Sequence, residues 1–191
     1  MHELLPDGGA IRKLWAGETG AYRDHLLRLD PESRTRRFSG RVSDDFIGRH
    51  AASAADSAAV VHGFFVDGVL RGAAELRPYG RTLARGGEAA FSIEQPWQSQ
   101  GVGSVLLKRT LLSARNRGIR SLHMYCLADN KRMQLLARKF DADLHVDFGS
   151  VVGDVDPPCS TALSLMREAM TDVDGVATSI LNAQSRLFRA A

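Results

Sequence analysis

The 191-residue chain contains little cysteine and no long apolar run, and these absences exclude several classes of protein. Its two cysteines, Cys126 and Cys159, form neither a CxxC pair nor a zinc-ligand pattern with histidine. We therefore expect buried, reduced thiols rather than a disulfide framework or a structural zinc site. No run of about eighteen apolar residues and no basic, apolar leader is present, so the sequence predicts a cytoplasmic protein without a membrane span.

Metal-ligand spacing and a nucleic-acid stacking platform are also missing from the sequence. The six histidines are scattered and no two have the spacing of metal ligands, so we expect no metal cofactor. The segment Gln98 to Phe140 contains nine basic residues and one acidic residue, which fits either a solvated helix face or attraction of a phosphorylated ligand. Aromatic residues do not interleave these charges, and we expect no nucleic-acid partner.

The most informative segment that is present is the glycine-rich run from Gln98 to Gly103, with the sequence QSQGVG. It follows a strand pattern, Glu88 to Glu94, and precedes a helix pattern, Ser104 to Arg117. Glycines at alternate positions permit a tight turn that directs several backbone N–H groups toward one point at a helix N-terminus. Leu106 stands where a dinucleotide fingerprint needs a small residue, and no Walker A string occurs. The loop therefore predicts a pyrophosphate site of another kind.

Because of this glycine-rich run and the strand and helix patterns beside it, the segment Glu88 to Leu107 resembles the GNAT superfamily of acetyl-coenzyme A dependent N-acyltransferases. The family motif is Gln/Arg-x-x-Gly-x-Gly/Ala after a strand and at the start of a helix, and the resemblance is greatest to bacterial domains that acetylate protein lysines. It implies that loop amides bind the pyrophosphate and that the preceding strand contacts the pantetheine arm, with the Ile93 amide as an oxyanion donor. A second motif, Leu127 to Met133, implies further contacts to the coenzyme. The implied coenzyme-binding residues are Phe91, Ser92, Ile93, Gln98, Ser99, Gln100, Gly101, Val102, Gly103, Ser104, Asn130 and Met133.

The same resemblance implies a carboxylate as general base. Glu88, at the start of the strand before the loop, is the first candidate, and Glu75 on the preceding strand is the second; either could instead be an ordinary strand carboxylate. Many family members have a tyrosine on the second-motif helix as general acid, but this sequence reads Leu-Leu-Ala-Arg at 135–138. Tyr125, Cys126 or solvent would then have to protonate the leaving thiolate. Asn130 could equally be a helix N-cap.

The order of strand and helix patterns predicts an α+β domain. Strand patterns occur at Ile11–Trp15, Val60–Val66, Val69–Arg77, Glu88–Glu94, Arg120–Leu127, Asp143–Phe148 and Ser150–Val155, with a Pro78-Tyr79-Gly80 turn. Helix patterns occur at Thr19–Leu29, Ser43–Ala55, Ser104–Arg117 and Asn130–Phe140. The resemblance covers about residues 10–155 and implies the GNAT fold, a mixed but mostly antiparallel sheet with helices on both faces.

We expect two units along the chain, the GNAT domain at residues 1–158 and a helical extension at 159–191. Apolar residues recur in the extension at steps of three and four, which predicts a helix with one apolar face. That helix, with a possible break at Gly175, would pack on its own domain or on a partner, and a homodimer through this helix is the main alternative.

Together these patterns predict an N-acetyltransferase that transfers an acetyl group from acetyl-CoA to a primary amine by direct attack. A protein lysine is slightly preferred over a small amine as the acceptor. Two other interpretations remain: a non-catalytic module that senses acyl-CoA, and a nucleotide-binding regulator.

Overall fold

The computed structural model describes residues 5–56, 58–79, 86–147 and 149–190. The strands are β1 Ala10–Lys13, β2 Val60–Val66, β3 Val69–Pro78, β4 Gly86–Ile93, β5 Ser121–Leu127, β6 Asp143–Asp147 and β7 Ser150–Val155. The helices are α1 Thr19–Arg28, α2 Pro31–Phe38, α3 Asp44–Asp56, α4 Val102–Asn116, α5 Lys131–Arg138 and α6 Ala162–Ala190.

The seven strands of the described residues form one sheet in the order β1-β2-β3-β4-β5-β7-β6. Every neighbouring pair is antiparallel except β4 and β5, which run parallel. Those two strands pair only over three positions, from Gly86 opposite Ser121 to Glu88 opposite His123, and then diverge. The predicted α+β class, with a mixed and mostly antiparallel sheet, is confirmed.

Helices cover both faces of the sheet, and the alternation of β4 assigns its side chains to them. Ala89, Phe91 and Ile93 pack with residues of α4 such as Leu106 and Leu107. Because side chains of a strand alternate, Glu88, Ala90 and Ser92 point to the opposite face, where α1, α2 and α3 lie. Helix α4, which follows the glycine-rich loop, and the side chain of Glu88, the first candidate base, therefore lie on opposite faces of the sheet.

Some details differ from the sequence-based expectations, and two expected features fall partly outside the described residues. Strand β3 continues to Pro78, which pairs with Gly87, because the missing N–H of proline matters little at the last residue of a strand. Cys126 is buried as expected, but Cys159 is exposed in the segment before α6. The Pro78–Gly80 turn and the end of the strand at Phe148 include Gly80 and Phe148, which lie outside the described residues.

Helix α6 is continuous through Gly175 and does not break there. A Cβ atom at position 175 would lie 2.6 Å from the Cβ of Arg12 and 2.9 Å from the carbonyl oxygen of Ile11. Glycine is therefore required for the close approach of α6 to β1, and its cost in helix propensity is offset by this packing. The division at residue 158 stays a prediction, although α6 is in direct contact with β1 and α4.

The carboxylate of Glu168 fastens α6 to α4. It accepts hydrogen bonds from Ser113 Oγ at 2.6 Å, Asn116 Nδ2 at 2.7 Å and Arg117 Nη1 at 2.9 Å. Burial alone would raise the pKa of Glu168, but these donors and the Arg117 charge lower the pKa to about 2. The contact between Glu168 and α4 therefore stabilises the docked helix fully at pH values above 4.5, the ordinary pKa of this carboxyl group. This stabilisation is lost as the pH falls toward 2.

We expect amide protection factors in α6 to fall between about pH 4.5 and pH 2, ahead of those in β2 and β3. Hydrogen exchange with residue-level readout would measure this difference. A Glu168→Gln variant should show reduced protection that no longer changes over that range. Equal loss of protection in α6 and in the central strands would contradict the prediction.

Candidate active site

A cleft of about 480 Å³ opens where β4 and β5 diverge. Strand β4, the glycine-rich loop, α2 and α5 form its walls. Ten of the twelve residues predicted to bind the coenzyme line it, namely Phe91, Ser92, Ile93, Gln98, Ser99, Gly101, Gly103, Ser104, Asn130 and Met133. The fold therefore brings together two sequence segments that are separated by about one strand and one helix.

The glycine-rich loop leaves a set of backbone donors unused at the start of α4. Ser99 and Gly101 have positive φ angles of 60° and 87°, which turn the chain into the helix. The carbonyl oxygen of Gly101 accepts from the amides of Ser104 and Val105 at 3.0 and 3.2 Å. By contrast, the amides of residues 99–103 donate to no acceptor within the described chain. Free N–H groups at and just before the N-terminus of a fifteen-residue helix can bind an anion, and Ser99, Gly101 and Gly103 of this run line the cleft.

Cationic side chains surround these amides. Lys139 donates from Nζ to Ser104 Oγ at 3.1 Å, and Arg132 donates from Nη1 to Gln98 Oε1 at 2.5 Å. Both basic side chains line the cleft. Part of the basic segment seen in the sequence is therefore directed toward the loop, where it adds to the field of the helix dipole.

Gln98 holds the loop against two other elements. Its Nε2 donates to the carbonyl oxygen of Ile93 at 2.8 Å and to Ser33 Oγ of α2 at 3.1 Å. Gln100 and Val102 do not line the cleft with their side chains. Gln100 is exposed and donates to the carbonyl oxygen of Pro96, whereas Val102 is 1% exposed in the apolar core. These two predicted coenzyme-binding residues are therefore not among the residues that line the cleft.

Asn130 is the N-cap of α5, since its Oδ1 accepts from the Met133 amide at 3.2 Å. Its side chain also lines the cleft, so the two roles considered from the sequence are compatible. Within the cleft, the part of α5 that lacks the family's usual tyrosine presents Leu135 and Leu136.

Glu88 lies at the last paired position before β4 and β5 diverge. Its carboxylate has no hydrogen-bond or ion-pair partner among the residues that the structure describes. The cleft wall begins one residue later, at Ala89. The Glu88 carboxylate therefore lies where the gap between β4 and β5 begins, on the face of the sheet opposite α4.

A row of polar residues crosses the sheet at this level, and the sequence analysis did not find it. The strand registers align Arg77, Glu88, His123, Asp154 and Asp143 on β3, β4, β5, β7 and β6. We call these five residues the transverse row. Its members share one face, because directly opposed residues in neighbouring strands point the same way. The alternation of His123 and Tyr125 with apolar residues in β5 was the available signal.

The imidazole of His123 is oriented by the row and by aromatic neighbours. Its Nδ1 contacts Asp154 Oδ1, and the opposite oxygen of Asp154 lies 3.4 Å from Nδ1 of His145. The Tyr79 ring stacks on His123 at 5.6 Å between centroids, and Tyr125 is 6.4 Å away. Tyr125 lines the cleft, whereas Cys126 points away from that face and burial raises the pKa of its thiol. No metal-binding group of three or more His, Cys, Asp or Glu side chains occurs in the described ranges.

Glu75 has surroundings unlike those of Glu88. It is 2% exposed and accepts hydrogen bonds from Tyr22, Arg37, His50 and Arg77. Burial alone would raise the pKa of Glu75, but the His50 hydrogen bond and the Arg37 charge lower the pKa to about 2. A carboxylate with so low a pKa is a weak base.

Ser92, which lines the cleft, is held by a second buried group. Its Oγ lies 2.9 Å from Nε2 of His25, whose Nδ1 is 3.2 Å from Glu94 Oε1. His25 is fully buried, and burial lowers its pKa despite the neighbouring carboxylate. Arg28 and Arg71 also bind Glu94, so a fixed polar network supports the end of β4.

Comparisons with known proteins agree with this geometry. A sequence model described as the Acetyltransferase (GNAT) family matches residues 21–141. The solved GNAT domain of S. lividans PAT superimposes with a TM-score of 0.67 at 20% identity, over 81% of this chain and 99% of that one.

Two further solved structures have the same fold. The putative acetyltransferase yncA from Salmonella typhimurium, solved with its cofactor acetyl-CoA, gives a TM-score of 0.60 at 17% identity, over 81% of this chain and 96% of that one. A cAMP-binding acyltransferase from Mycobacterium smegmatis gives 0.58 at 20% identity, over 94% of this chain but 54% of that one. Since the family match spans more than half of the sequence and includes β4, the glycine-rich loop and α5, this chain belongs to the Acetyltransferase (GNAT) family.

Proposed function

We propose that this protein transfers an acetyl group from acetyl-CoA to a primary amine. The observation that carries the proposal is the run of unpaired amides at residues 99–103, of which Ser99, Gly101 and Gly103 line the cleft between β4 and β5. These amides, with Lys139 and Arg132, fit a pyrophosphate in charge and donor number. The family includes structures solved with acetyl-CoA or coenzyme A.

The pantetheine arm would extend from the loop along β4. Beyond Glu88 the edge of β4 that faces β5 has no strand partner among the described residues. Its backbone groups, apart from the Ile93 carbonyl that Gln98 binds, are therefore available to an extended chain. Phe91, Ser92 and Ile93 line this path. We propose that the Ile93 amide donates to the thioester oxygen, which develops negative charge in the transition state.

Glu88 is proposed as the general base. The amine nitrogen attacks the thioester carbonyl carbon, the C–N bond forms, the C–S bond breaks, and the proton of the nitrogen passes to the carboxylate. Among the described residues no hydrogen bond or ion pair engages the Glu88 carboxylate, whereas Arg37, His50 and Arg77 all bind Glu75. The Asp154 contact at Nδ1 favours a His123 tautomer whose Nε2 can accept a proton, so His123 could relay it onward.

The transverse row also supports a cationic acceptor. Glu88, Asp154 and Asp143 place three carboxylates on one face beside the opening, which would attract an ammonium group before it loses its proton. A protein lysine and a small amine both satisfy this condition, and we propose a protein lysine as the first acceptor to test. Tyr125, which lines the cleft, is the proposed donor to the leaving thiolate.

A Ser104→Glu substitution tests the pyrophosphate site. A carboxylate in the first turn of α4 is compatible with the helix dipole, so the fold should persist, but the added charge faces the amides. We expect the Kd of acetyl-CoA, measured by calorimetry, to rise by about 100-fold, since a repulsion of about 3 kcal/mol corresponds to that factor. Ser104→Ala is the matched control and should change the Kd by less than about fivefold.

Thiol release with a panel of amines then separates an enzyme from a sensor. Release that depends on an amine supports the proposed transfer. Coenzyme binding without release under every amine would favour the alternative of a non-catalytic acyl-CoA sensor, for which the missing tyrosine on α5 is the motivating feature. A Kd for acetyl-CoA that Ser104→Glu leaves unchanged would contradict the assigned pyrophosphate site.

A further inference from the structure

Helix α6 presents an exposed apolar stripe with coiled-coil spacing. Positions 163, 166, 170, 173, 177 and 180 follow alternating steps of three and four residues, the a and d positions of a heptad repeat. The large side chains among them are 54–75% exposed, namely Leu163, Met166, Met170, Val173 and Ile180. We call these six positions the α6 seam. In sequence the same spacing continues to residues 184 and 187.

The orientation of the α6 seam is set by contacts on the opposite side of the helix. Ser164 is 4% exposed and donates to Asn116 at 2.6 Å, and Glu168 is bound by three groups of α4. Asp172 pairs with Lys13 of β1 at 3.0 Å, and Gly175 packs against β1. Since these positions lie about 130–170° around the helix from the seam, the seam is directed away from the domain.

We propose that the α6 seam binds the α6 seam of a second copy of this chain, as an antiparallel two-stranded coiled coil. With a two-fold axis between residues 171 and 172, Leu163 of one copy would meet Ile180 of the other. Met166 would meet Ala177, and Met170 would meet Val173. One position of the two-fold axis produces all three of these residue pairs. The seam is therefore complementary to itself, as a symmetric dimer with an isologous interface requires. This inference is independent of the proposed enzymatic function.

Charges beside the seam select the antiparallel arrangement. Arg167 and Asp174 both occupy e positions, and both are exposed. In an antiparallel pair e positions of the two helices face each other, so Arg167 of each copy lies near Asp174 of the other, giving two opposite-charge contacts. In a parallel pair each e position faces the g position five residues earlier in the other helix, which is Ala162 for Arg167 and Ala169 for Asp174. The parallel arrangement therefore gains no such pairs.

Sedimentation velocity over a concentration series tests the dimer. We expect the full chain to shift from monomer to dimer with rising concentration, and a Met170→Glu, Val173→Glu variant to stay monomeric because four carboxylates would meet at the axis. The variant should fold normally, since both side chains are exposed. Leu165→Glu is the matched control, because Leu165 is 51% exposed on α6 but lies outside the seam.

Cysteine crosslinking tests the direction of the helices. In a Cys159→Ser background, where Cys126 is buried, Leu163→Cys and Ile180→Cys are prepared separately and then mixed. An antiparallel dimer should crosslink only in the mixture, because like positions would be about 25 Å apart along the helix. Crosslinking of either variant with itself would overturn the antiparallel arrangement. A chain that stays monomeric throughout, or a dimer unaffected by the double substitution, would overturn the proposal.

Discussion

Glu88→Gln is expected to lower kcat by about 10²–10⁴-fold while the Kd of acetyl-CoA changes by less than about threefold. The amide cannot accept the proton of the attacking nitrogen, and general base catalysis commonly contributes this factor. The coenzyme contacts should remain, because the Glu88 side chain is outside the set of residues that line the cleft. Steady-state thiol release with a saturating amine would measure kcat, and calorimetry would measure the Kd.

The matched control for this prediction is Asp143→Asn. Asp143 lies in the same transverse row and carries the same charge, but β5 and β7 separate it from β4. The Asp143→Asn substitution should reduce kcat by less than about threefold. Comparing it with Glu88→Gln therefore separates loss of proton transfer from loss of the general negative field of the carboxylates. Equal effects of the two substitutions, or a Glu88→Gln variant with full activity, would exclude Glu88 as the base.

Glu75→Gln is expected to lower the free energy of unfolding by about 3–5 kcal/mol. The substitution keeps the shape of the side chain but leaves the Arg37 guanidinium, which is 6% exposed, without its carboxylate. His50 and Arg77 lose the same partner. Breaking one side of a buried ion pair leaves an uncompensated charge, which accounts for the size of the effect. Urea denaturation followed by circular dichroism would measure it.

The pH dependence of stability provides a second readout for Glu75. Because its pKa is lowered from 4.5 to about 2 in the folded state, its contribution is fully present above pH 4.5 and is lost as the pH falls toward 2. Part of the acid destabilisation of the native chain should therefore be missing in Glu75→Gln. Glu32→Gln is the control, since the Glu32 side chain is 69% exposed in its pair with Arg36 and should cost less than about 1 kcal/mol. Similar losses of unfolding free energy in Glu75→Gln and Glu32→Gln would refute the structural role of Glu75.

These two substitutions distinguish carboxylates that looked alike in the sequence. Glu75 and Glu88 both lie on strands beside the glycine-rich loop, and each was a candidate base. We expect Glu88→Gln to change turnover but not stability, and Glu75→Gln to change stability first. The difference arises mainly from residues far away in sequence, since three of the four donors to Glu75 come from α1, α2 and α3.

The sequence by itself determined those features that depend on neighbouring residues. The glycine spacing at 101 and 103 predicted the turn into α4, because backbone conformation there is decided within a few residues. The period of the apolar residues placed most strands and helices correctly, and the motif letters identified the family, which the comparison confirmed.

Only the tertiary structure decided which side chains meet across the sheet. The divergence of β4 from β5 creates the cleft, and the registers of β4, β5 and β7 align His123 and Asp154 with Glu88. Burial of Gly175 against β1 keeps α6 continuous and turns its apolar stripe outward. Each of these depends on contacts between residues tens of positions apart, and such contacts are set by packing and strand register rather than by local propensity.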